Sequence, residues 1–180
     1  MNQVKFKNYK KAAFLDRDGV INKDIGYLHK IEDFKWVDGA IEALKILKKN
    51  KYLIIVISNQ SGVERGFFSE NDVIELHKWI NSQLKKFNVE IDEFYFSTEL
   101  PGKNVKPIRR KPSPQMINEA IKKYKLNKKE CFMVGDKKSD LMAAKNANIS
   151  GFLFDGNDLS YKDRKSTRLN SSHRCISYAV

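Results

Sequence analysis

The sequence predicts an α/β protein, a parallel β-sheet with helices on both faces, on three observations. Short apolar runs alternate with amphipathic stretches along most of the chain, the order expected when each strand is followed by a crossover helix. Two of those runs, Ala12 to Leu15 and Leu53 to Ile57, are almost unbroken in apolar residues, as strands buried on both faces are. The first run ends in Asp16-Arg17-Asp18-Gly19, which delivers two carboxylates to a strand's carboxyl end, where open α/β sheets carry their chemistry. An ordinary Asp-Gly turn closing a strand is the plainer alternative for those residues taken alone.

Each element has a local reason. After the first strand comes a polar segment from Asn22 to Trp36, and then Asp38 is expected to cap a helix whose apolar positions Ile41, Leu44, Ile46 and Leu47 lie largely on one face. Leu53 to Ile57 is the second strand. Ser69 with Asp72 resembles a capping box and opens a long helix carrying Val73, Leu76, Trp79, Ile80 and Leu84. Phe94 to Phe96 reads as the third strand. Ser113-Pro114 starts a helix through Met116, Ile117, Ala120 and Ile121, with proline at a tolerated first-turn position. Cys131 to Val134 is the fourth strand, Leu141 to Ala147 a short helix, and Phe152 to Phe154 a fifth strand. The motifs therefore fall just after strands or just before helices, where backbone amides point out of the sheet.

Composition narrows the class. A chain of 180 residues suits one domain with a substantial core, expected over residues 1–160. No apolar stretch approaches the roughly 20 residues of a membrane span, and Met1-Asn2-Gln3-Val4-Lys5-Phe6-Lys7 is too polar for a signal peptide, so a cytoplasmic protein with no membrane partner is expected. The two cysteines, Cys131 and Cys175, supply neither a disulfide framework nor a four-cysteine metal site. The net charge of +12 invites a nucleic-acid reading, but residues 161–180 contribute +4 of it. The remaining lysines are scattered as Lys45, Lys48, Lys49, Lys85, Lys86, Lys122, Lys123 and Lys125, the pattern of solvated helix faces rather than of a binding stripe. No nucleic-acid partner is expected. Residues 161–180 form an irregular basic tail without apolar periodicity. Within it Lys165-Ser166-Thr167-Arg168-Leu169-Asn170-Ser171-Ser172-His173 resembles translated adapter or vector sequence, so the tail is set outside the fold and its His173 and Cys175 receive no role.

Three further motifs follow the aspartate pair in order: Ile57-Ser58-Asn59-Gln60-Ser61-Gly62, Arg109-Arg110-Lys111-Pro112, and Met133-Val134-Gly135-Asp136-Lys137-Lys138-Ser139-Asp140. Together the four motifs supply a nucleophile candidate, a hydroxyl with backbone amides, a fixed cation and a second acidic pair, the parts that metal-assisted phosphoryl transfer needs. Over residues 10 to 155 the chain resembles the haloacid dehalogenase superfamily of aspartate-nucleophile phosphatases. Asp16-Arg17-Asp18-Gly19-Val20-Ile21-Asn22, Gly26-Tyr27, Ser58 to Val63 with Arg65-Gly66-Phe67-Phe68, and Arg110-Lys111-Pro112 resemble its heptose bisphosphate and histidinol phosphatase branch. The resemblance implies a Rossmann-like sheet. The short segments between strand and helix leave no room for a cap domain, so the expected site is open and shaped by loops.

The resemblance assigns roles residue by residue. Asp16 is the candidate nucleophile, forming an aspartyl-phosphate, with a metal ligand only as its alternative. Asp18 resembles the general acid and base, which needs a carboxyl able to exist in both states near neutrality; capping the turn before Gly19 is the alternative. Ser58 is expected to hold phosphoryl oxygens with its hydroxyl and with the amides of Ser58 and Asn59. Lys111 resembles the cation between nucleophile and phosphoryl group. Asp136 resembles a Mg²⁺ ligand alongside Asp16 and the main-chain carbonyl of Asp18, while Asp140 is expected to orient a metal-bound water or Lys111. Arg17, Asn59, Gln60, Arg65, Arg110 and Lys137 are the expected substrate contacts, with a fixed guanidinium suited to a second phosphate. One departure stands out. That branch usually carries a zinc loop built from three Cys and a His, and the corresponding stretch 96–108 has neither residue, so no zinc is expected and packing or hydrogen bonds must hold the loop. The expected protein is a monomeric, Mg²⁺-dependent phosphatase of a small phosphorylated sugar, foremost D-glycero-D-manno-heptose 1,7-bisphosphate. Histidinol phosphate, a polynucleotide 3′-phosphate and a non-catalytic binding role are the alternatives.

Overall fold

The computed structural model describes residues 11–102 and 108–156; the tail at 161–180 lies outside the described residues. Five parallel strands form one sheet in the order β3-β2-β1-β4-β5: β1 is Ala12–Leu15, β2 Leu53–Asn59, β3 Glu93–Ser97, β4 Phe132–Gly135 and β5 Ser150–Leu153. The helices are α1 Ala40–Lys49, α2 Glu70–Lys85, α3 Gln115–Tyr124 and α4 Lys138–Ala147. This is the α/β architecture expected from the apolar runs.

The unbroken apolar strands serve two cores, because successive side chains of a strand leave opposite faces of the sheet. Ala13, Leu15, Ile54 and Val56 pack with Leu44 and Leu47 of α1 and with Leu76, Ile80 and Leu84 of α2. Ala12, Phe14, Ile55 and Ile57 pack with Met116 and Ile117 of α3 and with Ala143 and Ala144 of α4. An alternating polar face would have left one of these helix layers without a partner.

Several boundaries differ from expectation. α1 is entered through Gly39, whose left-handed backbone (φ 73°) turns the chain into the helix without a side-chain cap. Asp38 instead lies in solvent, 3.9 Å from Lys23. The capping box at α2 forms as expected: Ser69 Oγ accepts the Asp72 amide and Asp72 accepts the Ser69 amide. β2 runs two residues past the apolar run, because pairing with β3 continues through Ser58↔Phe96 and Asn59↔Ser97. The start of α4 at Lys138 and of β5 at Ser150 also precede the apolar stretches that mark them in sequence.

The strand order reverses at β1. Strands β2 and β3 lie to one side of it and β4 and β5 to the other, so a crevice opens between the ends of β1 and β4. The Asp16 amide donates to the Val134 carbonyl at 2.9 Å, carrying that ladder up to the first aspartate. Between β1 and α1, residues 16–39 contain only the isolated bridges Asp18↔Asn22 and Asn22↔Trp36, so no cap covers the crevice from there. We propose that the fold is complete within residues 1–160. Truncation after Asp163 should then leave melting temperature and specific activity unchanged, and a fall of several degrees would show that the tail packs on the core.

Candidate active site

The crevice holds a cavity of about 250 Å³ lined by Asp16, Asp18, Asp24, Gly26, Tyr27, Asn59, Gln60, Ser61, Arg110, Lys111, Lys137 and Ser139. Its residues come from all four motifs. At its floor the Lys111 ammonium reaches Asp16 at 2.8 Å, Asp140 at 2.7 Å and the Ile57 carbonyl at 2.8 Å. Three acceptors use the three ammonium protons. Burial works against the charge of Lys111, but Asp16 and Asp140 outweigh it and raise its hold on the proton. Burial likewise pushes the Asp16 carboxyl up, to about 7, with Lys111 opposing and Asp140 and Asp18 adding to the rise.

Asp140 is fully buried at the start of α4, where its second oxygen accepts the Lys137 amide at 3.0 Å. Both its oxygens are thus committed to fixing neighbours. Asp16, Asp136 and Asp140 offer carboxylate oxygens that lie within 4.8 Å of one another. Oδ1 of Asp136 is buried without a hydrogen-bond partner, and burial raises the proton affinity of this carboxyl despite the opposing Lys137. A hard divalent cation with carboxylate and water ligands answers that unmet demand, so the donor set fits Mg²⁺. Two glycines permit the approach. A Cβ at Gly19, where φ is +89°, would lie 2.3 Å from an Asp136 oxygen, and one at Gly135 would lie 2.2 Å from the Asp140 Cβ.

Asp18 lines the cavity, and its two oxygens are held from behind. Oδ1 accepts from Arg17 Nε at 3.2 Å, an Arg17 terminal nitrogen at 3.0 Å and Asn22 Nδ2 at 2.9 Å; Oδ2 accepts from Arg17 at 3.0 Å and Gln60 Nε2 at 2.8 Å. Burial opposes its charge, but Arg17, Asn22 and Gln60 together hold the carboxyl below its ordinary pKa. The substrate-free site therefore favours a carboxylate, rather than the group poised near neutrality that the sequence reading requires.

Two expected substrate contacts, Arg17 and Arg65, and the phosphoryl-holding Ser58 are placed differently. Arg17 is completely buried, with its guanidinium turned into the protein onto Asp18, the Leu28 carbonyl and Gln60, so it is not available to a ligand. Ser58 lies inside β2, off the cavity lining, and its hydroxyl accepts from Gln60 Nε2 at 2.7 Å. Arg65 is exposed at the rim, its guanidinium 6.0 Å from the Tyr27 ring centre, and it is not among the residues lining the cavity. The other four contacts, Asn59, Gln60, Arg110 and Lys137, lie on the cavity. Asn59 uses its amide group to bind the Lys111 backbone in both directions, at 2.9 and 3.2 Å. Arg110 donates to the Glu99 carbonyl at 3.0 Å, and Lys137 pairs with Asp24 at 2.9 Å.

One support escaped the sequence reading. Glu99 accepts the amides of Ile108, Arg109 and Arg110 at 3.1, 3.0 and 2.7 Å, so a carboxylate gathers the end of the loop that carries Arg110 and Lys111. An acid in a stretch without Cys or His was the available signal; residues 103–107 of that loop lie outside the described residues. Tyr27 stands against Phe67 with ring centres 4.9 Å apart, forming an aromatic lip.

Fold and site together define a hydrolase of the haloacid dehalogenase-like class, with an acidic cluster and one buried lysine at the switch point of a parallel sheet. The model of the haloacid dehalogenase-like hydrolase family matches residues 3–153, and the chain belongs to that family. It is 44% identical over 144 residues to the D-glycero-beta-D-manno-heptose-1,7-bisphosphate 7-phosphatase of Pasteurella multocida, covering 78% of each chain. It is also 44% identical over 144 residues to the D-glycero-alpha-D-manno-heptose-1,7-bisphosphate 7-phosphatase of Photorhabdus laumondii, covering 77% of this chain and 79% of the relative. Among solved structures, the D,D-heptose 1,7-bisphosphate phosphatase of B. bronchiseptica, complexed with magnesium and phosphate, superposes with a TM-score of 0.75 at 26% identity, covering 82% of both chains.

Proposed function

We propose that this protein is a Mg²⁺-dependent phosphatase that removes the C7 phosphate of D-glycero-D-manno-heptose 1,7-bisphosphate. The observation that carries the chemistry is the Lys111 ammonium between Asp16 and Asp140 beside the partnerless oxygen of Asp136. The substrate rests on the 44% identity to heptose bisphosphate phosphatases.

In this reading an Asp16 oxygen attacks phosphorus in line and the bond from phosphorus to the sugar oxygen breaks. Asp18 gives its proton to that departing oxygen, which leaves as the alcohol. Water then attacks the aspartyl-phosphate and passes a proton to Asp18, which releases inorganic phosphate and restores the Asp16 carboxylate. An incoming phosphate ester brings negative charge next to Asp18 and raises its proton affinity from the low value of the empty site. Asp16 and Asp136, with the main-chain carbonyl of Asp18, are the residues that would hold Mg²⁺; Asp140 keeps Lys111 and the start of α4 in place. Bound there, Mg²⁺ supplies neutralisation of charge on the transferring phosphoryl group. Lys111, held 2.8 Å from Asp16, would add a fixed positive charge beside the same phosphoryl group.

The test is phosphate release from both anomers of heptose 1,7-bisphosphate, a hexose bisphosphate, histidinol phosphate and a 3′-phosphorylated oligonucleotide, with Mg²⁺ and after chelation. Heptose bisphosphate should be turned over fastest, and only with Mg²⁺. Faster release from histidinol phosphate or the oligonucleotide, or full activity in chelator, would overturn the assignment.

In the same reading Arg110, with help from Lys137, binds the phosphate that does not react, supported by the presence of both cations on the cavity lining. Arg110→Ala should cost roughly 2 to 5 kcal/mol in kcat/KM on the bisphosphate and much less on a monophosphate. Equal losses on both would mean that Arg110 serves the reacting group.

A further inference from the structure

Arg17 sits between the two aspartates of the first motif, yet nothing in the reaction as written uses it. A fully buried guanidinium needs partners for its donors, and here they come from four parts of the chain. It binds both oxygens of Asp18 at 3.0 Å, the Leu28 carbonyl at 2.9 Å and Gln60 Oε1 at 3.2 Å, with His77 Nε2 of α2 at 3.5 Å. His77 is itself packed flat on Phe94, ring centres 4.3 Å apart, and edge-on to Phe96. Burial, and then the Arg17 charge, hold this imidazole neutral, with its pKa lowered to about 3, so it faces the guanidinium as an acceptor rather than as a second cation. Gln60 closes the circle by bonding Arg17, Asp18 and Ser58 at once.

We infer that Arg17 is a positioning residue: its fork, seated on Leu28, Gln60 and His77, fixes the Asp18 carboxylate on the cavity lining for proton transfer to the leaving oxygen. The inference rests on the phosphatase reading above. A lysine could supply the charge but not the planar fork that meets both carboxylate oxygens, and a substrate contact would need an accessible guanidinium, which this is not.

The role separates two steps of the reaction. Expulsion of 2,4-dinitrophenolate from its phosphate ester needs no proton, whereas release of a sugar alkoxide and attack by water both draw on Asp18. Arg17→Met and Arg17→Lys are to be compared with wild type by steady-state kinetics on heptose 1,7-bisphosphate and by rapid mixing with 2,4-dinitrophenyl phosphate, with circular dichroism and melting as the folding check. Arg17→Met should lower kcat on the bisphosphate on the order of 10²-fold with KM held within about twofold. On the dinitrophenyl ester it should keep a burst of one dinitrophenolate per enzyme followed by a slowed steady state, and Arg17→Lys should restore part of the loss. A raised KM with kcat unchanged would make Arg17 a substrate contact and overturn the inference. So would a burst and a steady state that fall together in a folded variant. If Arg17→Met does not fold, Gln60→Met removes one arm of the same clamp and is read by the same two criteria. A wild-type protein inert towards every phosphate ester would overturn the phosphatase reading and this inference with it, whereas an active wild type with either adverse pattern overturns the inference alone.

Discussion

Asp16→Asn should abolish turnover, by on the order of 10⁴-fold or more, and leave the protein folded. The amide is nearly isosteric and its oxygen can still accept the Arg17 backbone amide, bonded to Asp16 at 2.7 Å. It is neither a nucleophile nor an anionic metal ligand. Stability should hold or rise, because the substitution removes a charge that burial disfavours strongly enough to push the Asp16 carboxyl to about 7. Circular dichroism and thermal melting check the fold, and phosphate release checks turnover. Activity within tenfold of wild type in a folded variant would exclude an aspartyl-phosphate intermediate.

Lys111→Met should damage both activity and stability, for a reason that lies in geometry. The ammonium is within 2.8 Å of Asp16 and 2.7 Å of Asp140, and all three side chains are almost or fully buried. Removing the cation leaves two like charges facing each other away from water. Breaking a buried pair in this way costs ~3–5 kcal/mol, about 10 °C or more in melting temperature for a chain of this size. Without Lys111, which opposes the rise at Asp16, the folded variant binds a proton at Asp16 more readily than the unfolded chain does. Its stability deficit should therefore be full at alkaline pH and shrink as pH falls through the raised folded pKa. Added Mg²⁺ should recover part of the loss. Melting curves across pH, with and without Mg²⁺, read all three effects; a variant that melts like wild type at neutral pH would show that Lys111 is not the cation that neutralises the pair.

Much of this architecture is legible in the chain because its causes are local. A strand buried on both faces must be apolar at successive positions, so Ala12–Leu15 and the apolar part of β2 declare themselves. The capping box at Ser69 and Asp72 involves residues three apart and is equally visible. Boundaries were less so, because β2 is extended by hydrogen bonds to β3 and α1 is entered through the left-handed Gly39. The site divides in the same way. That carboxylates end β1 and β4 follows from the order of residues, whereas the destinations of Arg17, Ser58 and Glu99 do not.

By itself, then, the sequence determines the alternating α/β order, the apolar strands that need a helix layer on each face, and the set of acids and cations delivered to the strand ends. These depend on the periodicity of neighbouring residues and on which residue follows a strand. Only the tertiary structure decides who meets whom: Lys111 with Asp16 and Asp140, Asn59 with the Lys111 backbone, Gln60 with Asp18, and Arg17 turned inward onto Leu28 and His77. Those pairings join residues far apart along the chain, and each is chosen because a buried polar group must find a partner among whatever the fold places within about 3 Å of it. A long side chain such as Arg17 can reach either solvent or interior from the same backbone position, and the balance between them is set by acceptors on other elements, which no local pattern of residues encodes.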